Sequence, residues 1–130
     1  YILDLLQKKL LLSTYVAHGR GSGDNYAVAF SNRPGSYQSS LGFFRTGDTY
    51  MGKNGYSLFL DGLEKGINDK ARVRAIVVHG ANYADPAVLK GQQRLGRSLG
   101  CPALPPDISK QVIDTIKGGV LLYIYGLNKA

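Results

Sequence analysis

Glycine is spaced so closely along this chain, 17 times in 130 residues, that few stretches are left for an uninterrupted helix. In a helix interior glycine costs about 1 kcal/mol relative to alanine, whereas at tight turns its freedom in φ is an advantage. Nine tyrosines add a residue type that packs well on a pleated surface. Together these features predict a mainly β protein of short strands joined by many turns. With 44% hydrophobic residues the chain can bury one core, and we expect a single domain over residues 1–130.

Residues 1–6 and 10–17 are apolar runs around the polar Gln7-Lys8-Lys9, which predicts an antiparallel hairpin. Tyr26 to Phe30 alternates large and small side chains, the pattern of a strand packed on one side. A further short strand is expected over Leu41 to Thr46. Asn54-Gly55 is a hairpin signal of type I′, with positive φ at both central positions. It would put Tyr56, Leu58 and Leu60 on one face, toward the core. Asp61 to Arg74 mixes glycine, asparagine and charge and reads as a surface connection, with one helical turn near Leu63-Glu64-Lys65. Pro105-Pro106-Asp107 then opens a helix whose apolar positions Ile108, Val112, Ile113 and Ile116 form one stripe, stopped by Gly118-Gly119. Val120 to Tyr125 follows as a last strand. Seven or eight short strands and one clear helix make a β-sandwich or partly closed mixed sheet with a C-terminal helix packed on one side.

The formal net charge is +7, which favours a polyanionic partner. The basic residues are dispersed and no helix carries a basic face, so no nucleic-acid module is expected; other polyanionic polymers suit the charge equally. No run approaches the ~20 apolar residues of a membrane span. The sequence opens at Tyr1 inside an apparent strand, and we expect that a signal or N-terminal extension has been removed. The glycine-rich loop His18 to Asn25 lacks the Gly-Lys-Ser/Thr ending and the following helix of a phosphate cradle. It reads as a loop carrying His18.

The chemistry concentrates between Arg74 and Pro106. The β-branched run Ile76-Val77-Val78 delivers His79 and Gly80, and Gly96-Arg97-Ser98-Leu99-Gly100-Cys101-Pro102 presents the only cysteine. A thiolate attacks carbonyls when a base takes its proton or a cation stabilises its charge, and an imidazole can do both. The bland alternative is a small buried hydrophobe and a hydrogen-bonded core histidine. Gly100 and Pro102 tilt the balance toward chemistry. One lets backbone approach a substrate and the other stiffens the exit, which suits two N–H groups aimed at an oxyanion.

The strand ending in His79-Gly80, the loop, and Ser98-Leu99-Gly100-Cys101-Pro102 resemble the YkuD-like L,D-transpeptidase domain, closest to the murein L,D-transpeptidase catalytic domain family. Val16-Ala17-His18-Gly19, Phe30-Ser31-Asn32, Ser39-Ser40-Leu41-Gly42 and Asn68-Asp69 extend the likeness over nearly the whole chain. Two positions depart from the family motif: Leu99 stands for a histidine and Ala103 for an arginine. His18 and either Arg94 or Arg97 are candidates to fill those roles. The resemblance implies a cysteine enzyme needing no metal or cofactor, located in the periplasm or cell envelope. Cys101 would be the nucleophile, His79 its base and the Gly80 carbonyl the group orienting the imidazole. Gly100 and Cys101 N–H would serve the oxyanion, and His18, Tyr83, Arg97 and Ser98 would meet peptidoglycan stem peptides. Carbapenem-type inhibitors are expected to acylate it.

Three rivals stand beside that reading. One is an L,D-carboxypeptidase or wall-peptide hydrolase built on the same pair. The second is a zinc site from His18, His79 and Cys101, which has suitable residue types without the short ligand spacings. The third is a wall-binding module inactivated by the Leu99 and Ala103 changes.

Overall fold

The computed structural model describes residues 1–128. Its centre is a mixed five-stranded sheet in the order β6-β5-β4-β3-β7. The strands are β3 (Gly42–Gly52), β4 (Gly55–Gly62), β5 (Val77–Gly80), β6 (Ala103–Leu104) and β7 (Leu121–Ile124). All neighbours run antiparallel except β5 and β6, which are parallel. A separate two-stranded hairpin, β1 (Ile2–Asp4) with β2 (Lys9–Leu12), lays Ile2 and Leu12 against the same core. One helix, α1 (Pro106–Ile116), enters directly from β6. The fold is the mainly β arrangement expected, realised as a mixed sheet with the helix on one face.

Period-2 alternation decides which side chains meet the helix. Phe44, Leu58, Leu60, Val78 and Leu104 face Val112 and Ile113 of α1 and are almost fully buried. Burial of each such side chain contributes about 1.5–3 kcal/mol. The opposite face carries Phe43 stacked on Tyr123 at 4.5 Å and Tyr50 stacked on Phe59 at 4.3 Å. Val77 and His79 belong to that second face, since they pair with Phe59 and Ser57 across the ladder. His79 is nevertheless buried. Ala17, antiparallel to Ala103 beyond the sheet edge, and Tyr83 help to cover this side.

Several expectations change in detail. Residues 26–30 form no strand, because Val28 and Ala29 N–H both go to Ser22 O (2.8 and 3.1 Å), which leaves no free ladder edge. The third strand runs past Thr46 to Gly52 through a register shift between Thr46 and Thr49. The β3–β4 turn is not type I′. Gly55 has φ +83° whereas Lys53 and Asn54 lack positive φ, the pattern of an ordinary turn closed by a glycine bulge. The helix ends as expected before Gly118, with its Ile116 carbonyl taken by Thr46 Oγ1 at 2.6 Å. That hydroxyl also accepts from Val120 N–H at 2.9 Å, so one buried threonine joins the helix end to β7.

Candidate active site

The connection from β4 to β5 does more than cross the surface. Asn68 is fully buried; its Nδ2 donates to Leu41 O and Phe43 O, each at 2.9 Å, and its Oδ1 accepts from Glu64 N–H at 2.9 Å. Held there, the chain winds through Ala71 to a left-handed residue, Ala75, with φ +56°. Ile76 N–H bonds Ala71 O and Ala75 N–H bonds Arg72 O, the paired closure that usually ends on glycine. An alanine in that conformation costs about 1 kcal/mol or more. The result is a corner that turns Ala75 O and then Val77 N–H toward the sheet edge.

Cys101 sits at that edge. Its Sγ lies 3.4 Å from Val77 N–H and 3.5 Å from Ala75 O, so the thiol accepts from one backbone group and donates to the other. Strand β6 pairs with β5 only at His79 and Gly80, and the sulfur occupies the place where a longer β6 would continue. Gly100, with φ +126°, makes this approach possible. A Cβ there would come within 2.9 Å of Ile76 Cδ1 and 3.0 Å of Gln38 O. Ser98, almost fully buried, donates its hydroxyl to Cys101 O at 2.6 Å and accepts from Gly100 N–H at 3.1 Å.

His79 follows Val77 by two residues on the same face of β5. Its Nδ1 donates to the Gly80 carbonyl at 2.9 Å, which leaves the lone pair of a neutral ring on Nε2. In the resting arrangement the thiol proton goes to Ala75 O and not to the imidazole. Burial pushes the Cys101 thiol above its ordinary range, opposed by Val77 N–H and by the charges of Arg74 and Lys53. Such a thiol is neutral at rest and needs a base at the moment of attack. Tyr83, on the short turn after β5, is shifted upward by burial and then by the nearby Cys101 charge.

The remaining sequence candidates fall elsewhere. His18 Nε2 lies 3.2 Å from Gly23 O, and Arg97 Nη1 reaches the same carbonyl at 3.1 Å. Arg94 pairs with Asp24, which Arg97 also approaches at 3.9 Å. These groups line the rim of the glycine loop, where a cavity of about 310 Å³ opens between Asp24-Asn25 and Gln92-Gln93-Arg94. The cations whose charge acts on the sulfur are Arg74 and Lys53, neither of them a candidate from sequence. Ser98, expected at the substrate, has its hydroxyl engaged in the Cys101 turn. Gly100 N–H, expected at the oxyanion, is engaged by Ser98, whereas the Cys101 N–H has no acceptor among the described residues. His18 is not gathered with His79 and Cys101, and no cluster of three metal-ligating side chains occurs among the described residues.

The short segments that carried the resemblance meet behind this site. Gly19 N–H donates to Ser39 Oγ at 3.0 Å, Ser40 Oγ to Ser31 O at 2.7 Å, and Asn32 Nδ2 to Asp69 at 2.7 Å. They form the scaffold that holds the thiol corner.

A cysteine at a strand edge, a buried histidine whose Nε2 has no hydrogen-bond partner among the described residues and a clamped glycine turn are thus brought to one region of the sheet edge. Residues 1–125 match the family described as L,D-transpeptidase catalytic domain, so the chain belongs to that family, whose members are transferases acting on peptidoglycan. No match was found among curated proteins or solved structures. Among the described residues no helix is long and apolar enough to cross a membrane.

Proposed function

We propose that this domain is a peptidoglycan L,D-transpeptidase in which Cys101 and His79 form 3→3 cross-links through a thioester. The observation that carries the reading is the placement of the thiol against Val77 N–H at the β5 edge, two residues along the strand from His79, whose Nδ1 is fixed by Gly80 O and whose Nε2 has no hydrogen-bond partner among the described residues. His79 Nε2 takes the thiol proton as Sγ leaves Ala75 O and attacks the carbonyl of the third stem residue. The Cys101 N–H stabilises the oxyanion, joined by Gly100 N–H once it leaves Ser98. The amide C–N bond breaks, His79 returns the proton to the departing D-alanine amine, and a thioester remains. The side-chain amine of a diamino acid on a second stem then attacks, losing its proton to His79, and the thiol is released. Tyr83 borders the acyl site. The polar rim of Arg94, Arg97 and His18 fits stem carboxylates approaching from the side of the glycine loop. The reaction belongs to a bacterial cell envelope, and periplasmic or wall-facing placement follows from the substrate.

Disaccharide-tetrapeptide incubated with the protein should yield D-alanine and a dimer joined between third residues, read by mass spectrometry of fragments. If disaccharide-tripeptide appears with no dimer, water is the acceptor and the protein is an L,D-carboxypeptidase. If neither appears while the substrate is bound, the domain is a wall-binding module and the proposal fails.

A further inference from the structure

Arg74 is unlike the other arginines near the site. Arg72 is paired with Asp61, and Arg94 and Arg97 with Asp24. Arg74 has no carboxylate partner among the described residues. Its Nη1 donates to Ser31 O (2.9 Å) and Ser40 Oγ (2.7 Å), and its Nη2 to Gln38 O (2.8 Å) and Ser36 Oγ (3.2 Å). All four acceptors are neutral, so the guanidinium is fixed in direction and keeps its whole charge. It lies against the cysteine turn, with Nη2 3.4 Å from where a Cβ on Gly100 would stand. Burial pulls the guanidinium down and the Cys101 charge acts in the opposite sense. A partly buried cation held by dipoles alone costs desolvation, and an anion formed beside it offsets that cost.

We infer that Arg74 is the positioning residue that favours the Cys101 thiolate as it forms from a thiol that is neutral at rest. The charges that act on the sulfur are those of Arg74 before β5 and Lys53 at the β3–β4 turn; Tyr83 after β5 is coupled to the sulfur, and His79 stands two residues beyond Val77 on β5. Of these, Arg74 is the permanent cation anchored at the cysteine turn. The inference rests on Cys101 as the nucleophile but is read without any acylation, since the chain has one cysteine and alkylation reports it alone.

The rate of iodoacetamide alkylation is measured against pH on the full chain, with thermal melts as the check on folding. Arg74→Gln should move the apparent thiol pKa up by about one unit, so that thiolate is about tenfold scarcer below the midpoint. Arg74→Lys should recover at least half of that shift. Ser36→Asp keeps Arg74 but neutralises it and should also raise the midpoint, and it should add little in the Arg74→Gln background. Ser36→Ala removes an anchor while leaving the charge and should not move the midpoint. An unmoved midpoint in both folded Arg74→Gln and Ser36→Asp would overturn the assignment. So would a Ser36→Ala shift as large as that of Arg74→Gln, which would mark Arg74 as a clasp for the 31–40 loop. Where Arg74→Gln does not fold, the two Ser36 variants decide. Failure of the wild type to acylate would count against the transpeptidase reading and not against this assignment.

Discussion

A His79→Ala variant is expected to acquire a carbapenem acyl group about 10² to 10⁴ times more slowly than the wild type at neutral pH, the range that a positioned general base contributes. The thiol is already raised by burial, and its proton rests on Ala75 O. Without the imidazole, attack has to wait for spontaneous ionisation. The variant's rate should therefore climb about tenfold per pH unit up to the raised thiol pKa, whereas the wild type, with a base in place, climbs less steeply. Intact-mass time courses at several pH values measure both slopes. Equal rates and parallel profiles would remove His79 from the proton path and leave it a buried core residue bonded to Gly80.

Asn68→Ala is expected to destabilise the fold by about 2–4 kcal/mol, which for a domain of this size lowers Tm by on the order of 10 °C. The side chain is fully buried and makes three hydrogen bonds, and its removal leaves Leu41 O, Phe43 O and Glu64 N–H without partners. The same change loosens the corner that ends at Ala75, so acylation should fall together with stability. Asn68→Asp tests the donor side. It keeps shape and the acceptor but points a carboxylate at two carbonyls, and should be at least as damaging. Thermal unfolding followed by circular dichroism reads the outcome; a shift of less than about 1 kcal/mol would show that the backbone repairs itself and that Asn68 does not hold the corner.

What could be read from sequence was whatever local chemistry dictates. The α1 stripe of Ile108, Val112, Ile113 and Ile116, the glycine stop behind it and the inward face of Leu58 and Leu60 all follow from period and turn residues, and the structure has them. The β-branched run ending at His79 likewise marked a buried strand. Tyr26 to Phe30 has the alternation of a strand, yet the Ser22 carbonyl captures its N–H groups, a tertiary event with no period. Asn54-Gly55 announced a hairpin correctly, but which of its residues takes positive φ depends on the ladder it closes. Ala75 was hidden for a different reason: the left-handed closure it forms normally carries glycine, so its sequence gives no mark. Arg74 was hidden with it. The arginines nearest Cys101 in sequence, Arg94 and Arg97, are drawn to Asp24, while one 27 positions upstream is brought to the sulfur by the turn that Asn68 anchors.

The most direct test of Cys101 as the acylated nucleophile is intact-mass spectrometry of the wild type and Cys101→Ala after incubation with a carbapenem. The wild type should gain one inhibitor mass and Cys101→Ala none, with both variants folded. An adduct that persists on Cys101→Ala, or a folded wild type that gains no mass while its thiol remains open to iodoacetamide, would contradict a thioester on this residue.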